Sequence, residues 1–323
     1  DHRDLHSFPT RRSSDLPIKA SFKVGNWSGC YPIKEESPHG QVRQRTSSGS
    51  TAFRERATKK RRKAKAGKTM VKKPEIGRCV HCLKDGVELT SDHMFPKAWY
   101  PDATPENLEK WQFPCCFECN QRYSKIEGDL LNRVALALDS KNPASAGLVD
   151  AALRAMDPHA GRDEKDAAAR AAKGKKILGQ MFKGEEIPQD QLMPGLGERW
   201  GRTKDEQLGV QIPRASVDAM TEKIVRGLVY REDGLFIEEP YKIDAFIVSD
   251  DGAKVPMELL EKAGKDFKRE PGLEIRRATV EGDERAGLYE ITFWQQFKTY
   301  AMVQKSDSSA QAVAAQRGAT QDE

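Results

Sequence analysis

The chain of 323 residues has no stretch near the roughly 20 consecutive apolar residues that a membrane-spanning helix needs, and its mean hydropathy is -0.72. A membrane protein is ruled out. Aromatic residues make up only 7% and hydrophobic residues 37%, so parts of the chain lack the means to build a core, while several apolar stretches exclude wholesale disorder. No internal repeat is found, which argues against a stacked-repeat architecture. Cysteine is scarce as well, at six residues, and no hydrophobic signal peptide precedes them. In a non-secreted chain, cysteines paired at two-residue spacing read as a metal site before they read as disulfides, and a reducing cytoplasm is the expected compartment.

Net charge is uninformative as a single number. Residues 1–73 carry 19 Lys and Arg against 6 Asp and Glu, a balance of +13, so the formal +5 of the whole chain leaves 74–323 at −8. The bulk of the protein is mildly acidic. Residues 1–16 (DHRDLHSFPTRRSSDL) resemble one translated frame of a short-read sequencing adapter and are set aside from fold reasoning, with His2 and His6. Within residues 17–73, the stretch 17–69 is rich in Ser, Gly, Arg and Lys without apolar periodicity and carries near its end the run Lys59-Lys60-Arg61-Arg62-Lys63-Ala64-Lys65. Residues 17–73 read as a disordered basic leader. A phosphate-docking arm is one alternative, and a third reading, untranslated upstream sequence with initiation at Met70, is favoured over both.

The rest divides into a cysteine-bearing module at 74–140, a polar connector at 141–209, an accessory domain at 210–304 and a loose polar tail at 305–323. In the connector, Asp163 to Leu178 suits a solvated helix, and Ile187 to Gln211, with Pro188, Pro194, Gly195 and Gly197, reads as loop. Val217, Met220, Ile224 and Leu228 recur at helical spacing. Glu232-Asp233-Gly234 carries a hairpin signal between Gly227–Arg231 and Leu235–Glu238. Ile243–Val248 is a strand candidate, Met257–Phe267 a helix, and Leu273–Val280 and Leu288–Phe297 a strand pair whose Tyr289, Ile291 and Phe293 share one face. Helices and antiparallel strands in this order predict an α+β fold.

The informative stretch is Cys79-Val-His-Cys82, Ser91-Asp92-His93, Glu106-Asn107-Leu108 and Cys115-Cys116-Phe-Glu-Cys119-Asn120. Two CxxC pairs in this order predict four thiolates on a structural zinc ion, Cys79, Cys82, Cys116 and Cys119, with Cys115 a spare thiol. The bland alternative is a group of cysteines that is merely buried. Zinc held by four thiolates has no open position, so any chemistry falls to residues within the loop that it closes.

Residues 79–127 resemble the HNH endonucleases, a ββα-metal nuclease family, through Leu89 to Lys97 (LTSDHMFPK), Asn107-Leu108 and Cys116 to Lys125 (CFECNQRYSK). The resemblance implies a general base at His93, a catalytic divalent metal such as Mg²⁺ on Asp92 and Asn120, and a loop-bracing role for Asn107. The chemistry is sound on its own terms. A neutral imidazole accepts a proton from water near pH 7, and a carboxylate with an amide oxygen makes a hard donor set. One carboxylate favours one metal. Because neighbouring strand residues point to opposite faces, Asp92 and His93 serve one site only if the strand ends there, as Pro96 nearby allows. Asn120 is expected at a helix start, with Leu130, Val134 and Leu138 forming the stripe that covers the hairpin.

His81 reads as a turn residue, His159 as solvated, and Trp99 and Trp111 as core; Lys97, Arg122 and Lys125 are candidate phosphate contacts. The expected function is therefore a metal-dependent endonuclease, acting on DNA in preference to RNA, with 210–304 selecting substrate or a protein partner. Its rival is a zinc-stapled nucleic-acid or partner-binding protein without turnover.

Overall fold

The computed structural model of the chain describes residues 18–22, 75–187, 208–248 and 254–306. The adapter-like segment, most of the basic leader with Met70 and Cys30, and the tail from 307 lie outside the described residues. All described residues belong to one compact unit, and the fold is α+β, as expected.

Three antiparallel sheets are present among the described residues. The first joins β1 (Ile18–Phe22), β6 (Leu208–Ile212) and β5 (Met181–Lys183) in the order β1-β6-β5. The second is β2 (Glu75–Gly77), β3 (Val87–His93) and β4 (Gln112–Cys116), in chain order. The third has the order β7-β11-β10-β9-β8, from β7 (Tyr241–Phe246), β8 (Lys265–Arg269), β9 (Leu273–Val280), β10 (Asp283–Phe293) and β11 (Phe297–Lys305). Five helices are described: α1 (Phe117–Ala137), α2 (Leu148–Met156), α3 (Glu164–Leu178), α4 (Arg214–Asp233) and α5 (Lys254–Ala263).

Where local signals were unambiguous the elements follow them. Asp163 caps α3 by accepting from the Asp166 N–H, and Val217, Met220, Ile224 and Leu228 are the buried stripe of α4. Tyr289, Ile291 and Phe293 face the core from β10. Other expectations are corrected. Glu232-Asp233-Gly234 is no hairpin: α4 runs through Asp233, and Gly234, at φ 68°, closes the helix with its N–H bonded to the Tyr230 carbonyl. A left-handed glycine serves a helix end as readily as a hairpin turn. The helix expected to reach Phe267 ends at Ala263, and Phe267 lies in β8. The second expected strand ends at Phe293; Trp294 to Gln296 form the turn into β11, which the alternation does not announce. Strand β6 occupies the end of the presumed loop 187–211, and β1 the start of the presumed disordered leader; both gain order by pairing with each other, which is non-local.

The core runs without a break from Val80 to Val303, so residues assigned to module, connector and accessory domain bury one another. Two contacts tie α4 and the third sheet to the cysteine-bearing hairpin. Gly227 of α4 faces Phe113 of β4 so closely that an added Cβ would stand 2.4 Å from the ring. Trp294 donates its indole N–H to the Trp99 carbonyl at 2.8 Å, within a cluster that includes Phe95 and Phe293.

Candidate functional site

The first CxxC pair lies in the turn between β2 and β3, where the Leu83 N–H bonds the Cys79 carbonyl and Leu83 takes φ 63°. The second straddles the junction of β4 and α1: Cys116 is the N-cap and Cys119 sits in the first turn. Pairing of β3 with β4 then brings the two turns together. Cys79, Cys82, Cys116 and Cys119 place their sulfurs within 4.8 Å of one another, a cluster compatible with a metal ion. Cys82 and Cys116 sulfurs are 3.7 Å apart, the separation of roughly 3.8 Å expected for two thiolates bound tetrahedrally at about 2.3 Å. Burial alone would raise the Cys79 thiol, but backbone N–H groups of Cys116, Cys82 and His81 point at its sulfur and bring it down to about 7. Cys116 rather than Cys115 completes the set, as expected.

Behind that cluster lies a buried polar group that sequence reasoning did not anticipate. Asp92 points into the protein, 6% exposed, with one oxygen 2.9 Å from the Lys223 ammonium of α4 and the other 3.3 Å from His81 Nε2. Lys223 is fully buried, also bonds the Glu127 carboxylate of α1, and stands 5.4 Å from the Tyr123 ring centre. Desolvation opposes ionisation of Asp92, yet His81 and Lys223 together hold it below the ordinary carboxylate value. For Glu127 desolvation prevails over Lys223 and the value is raised. His81 lies in a turn, as expected, but it is buried there: its ring lies against Phe113 and Tyr123, at 5.1 and 4.3 Å between centres, and its Nδ1 has no partner. Burial lowers its proton affinity despite Asp92. Cys115, buried beside them, is not one of the four; with His81 and Asp92 it makes a second set of potential metal donors within 4.8 Å of one another, on whose carboxylate Lys223 already sits.

His93 ends β3 and is half-buried. Its Nε2 is 2.8 Å from the Gln112 side-chain nitrogen, and Ser91 donates to the Gln112 oxygen, so the cross-strand neighbour fixes the ring. Partial desolvation depresses His93 below 6.5; the charges of Lys223, Lys97 and Lys110 add to this, against the pull of Asp92. The balance favours the neutral imidazole. The strand stops at His93 as required, but its register stays regular to the end, His93 opposite Gln112 and Asp92 opposite Phe113. The two side chains therefore take opposite faces of β3.

Asn120 lies in the first turn of α1 and donates to the Thr90 hydroxyl at 3.0 Å, on the face of β3 that Asp92 shares. With Phe117, Gln121, Ser124 and Lys125 it lines an open groove along α1. Asn107 is exposed in the turn closed by the Leu108 N–H and Pro105 carbonyl, and no hydrogen bond of its side chain is found among the described residues. The structure thus brings Asp92 and Asn120 to one face of the hairpin, His93 to the other, and leaves Asn107 apart. Trp99 and Trp111 are core, and His159 is exposed, as expected.

Neither family models nor curated proteins match the sequence, and no solved structure matches the fold. No described helix is long and apolar enough to cross a membrane.

Proposed function

We propose that this chain is an HNH-type endonuclease that hydrolyses phosphodiester bonds, in DNA rather than RNA, with His93 as general base. One observation carries the reading. An antiparallel hairpin, β3–β4, runs directly into helix α1, the paired cysteines gather at that junction, and a half-buried histidine kept neutral ends the inner strand. Neutral His93 takes a proton from water as its oxygen bonds to phosphorus, the bond from phosphorus to the leaving oxygen breaks, and that oxygen takes a proton from solvent. Lys97 and Lys110, whose charges reach His93, offset phosphate charge.

Zinc is the metal that the four thiolates suit, and bound there it is structural. The catalytic divalent ion implied by the resemblance to HNH enzymes is different. Both Asp92 oxygens are already engaged, one by an ammonium, so the Asp92 and Asn120 donors do not fit such an ion as they stand. Unbridged cysteines at this spacing support a cytoplasmic location.

The engaged carboxylate favours a second reading, a zinc-stapled module that binds nucleic acid or a protein partner without turnover. Incubation of the zinc-loaded chain with DNA and with RNA, in Mg²⁺, Mn²⁺ or EDTA, and mapping of the ends separates the two. The nuclease reading expects internal breaks in DNA; binding with intact strands in every arm supports the second.

A further inference from the structure

Lys223 sits where a cation is required. Its ammonium contacts one oxygen of Asp92 and one of Glu127, two carboxylates that would repel each other without a positive charge between them. Paired hard oxygens facing a point charge are also what a divalent cation seeks. The remaining Asp92 oxygen is taken by His81. Nor is Lys223 free to withdraw, since it shares a face of α4 with buried Met220, Ile224 and Gly227, and Gly227 is pressed against Phe113, the residue opposite Asp92 in the hairpin. A divalent ion at Asp92 would have to dislodge the helix or sit beside an ammonium in a poorly solvated site, where like charges repel strongly.

We infer that Lys223 is the resident cation of this site: its ammonium, rather than a metal ion, neutralises Asp92 and Glu127 and keeps divalent metals off Asp92. The inference stands on this geometry and holds whether or not the chain cleaves nucleic acid.

The test is Mn²⁺ binding to the zinc-loaded full chain, followed by the spectrum of free Mn²⁺ in electron paramagnetic resonance. Wild type and Asp92→Asn are expected to give isotherms that agree within about twofold, because Asp92 takes no part in wild-type binding. Lys223→Met, shown folded by circular dichroism, is expected to gain one site at least about tenfold tighter than any in wild type, and Lys223→Met/Asp92→Asn to lose it again. Weaker Mn²⁺ binding by Asp92→Asn in the wild-type background overturns the inference, as does a folded Lys223→Met with no gain. Should Lys223→Met not fold, Lys223→Gln replaces it, and the wild-type comparison decides alone. Nucleic-acid cleavage is not read in any arm, so failure here and failure of the nuclease reading are separate results.

Discussion

Lys223, midway along α4, reaches Asp92 on β3 at 2.9 Å across 131 residues of chain. Both groups are buried, so each depends on the other. Removing one partner of a buried ion pair costs about 3–5 kcal/mol because the other charge is left uncompensated. The cysteine-bearing hairpin is thereby bound to the C-terminal half by charge as well as by the Gly227–Phe113 and Trp99–Trp294 contacts.

A fragment of residues 74–140 therefore will not fold alone, even with zinc. It would expose Phe95 and Trp99 and strand Asp92 and Glu127 without their cation. Its amide spectrum by NMR should show collapsed dispersion; a dispersed, zinc-dependent spectrum would contradict the shared core.

Gly227→Ala should destabilise the protein, since its Cβ would meet the Phe113 ring at 2.4 Å. Overpacking of this kind costs about 1–3 kcal/mol. Phe113→Leu in the same chain should recover part of the loss, which a double-mutant cycle in urea would read.

Withdrawal of the thiolate-bound metal should unfold the hairpin. Cys82→Ser is expected to lose the metal and the native circular dichroism together, with one metal per chain in wild type by elemental analysis. Cys115→Ser should keep the metal. Retention of metal and fold in Cys82→Ser would count against the four-thiolate site.

The two carboxylates on Lys223 should shape acid stability in opposite directions. Glu127 is raised in the folded state, so its contribution is lost as pH rises from 4.5 through the folded value. Glu127→Gln lacks that loss, and its stability relative to wild type should improve between pH 4 and pH 8. Asp92 is depressed, so its contribution is present above 3.8 and disappears as pH falls through the folded value; Asp92→Asn should blunt acid unfolding. Urea midpoints across pH for the three proteins check both signs.

Much of this was legible locally. The cysteine set follows from two tight turns that strand pairing must join, α1 and α4 follow from their apolar stripes, and α3 from its helix-favouring polar composition. What escaped depends on distant partners. Lys223 resembles any lysine in a helix until Asp92 and Glu127 are placed beside it, and the burial of His81 in its turn is invisible until Phe113 and Tyr123 close around it. Strands β1 and β6 explain each other only once paired. Asp92 carried the right residue type for a metal ligand, and a regular strand register turned it toward the interior, away from His93.

His93 remains the residue on which the functional account turns. Plasmid nicking by zinc-loaded wild type and His93→Ala, each shown folded, is the direct measurement, with rates taken from pH 5 to 8. At least about a hundredfold loss is expected in His93→Ala, and a wild-type rate that climbs to its plateau at a lower pH than an ordinary imidazole would give, because burial depresses His93. Equal nicking by the two proteins, or none by either, would contradict the nuclease reading.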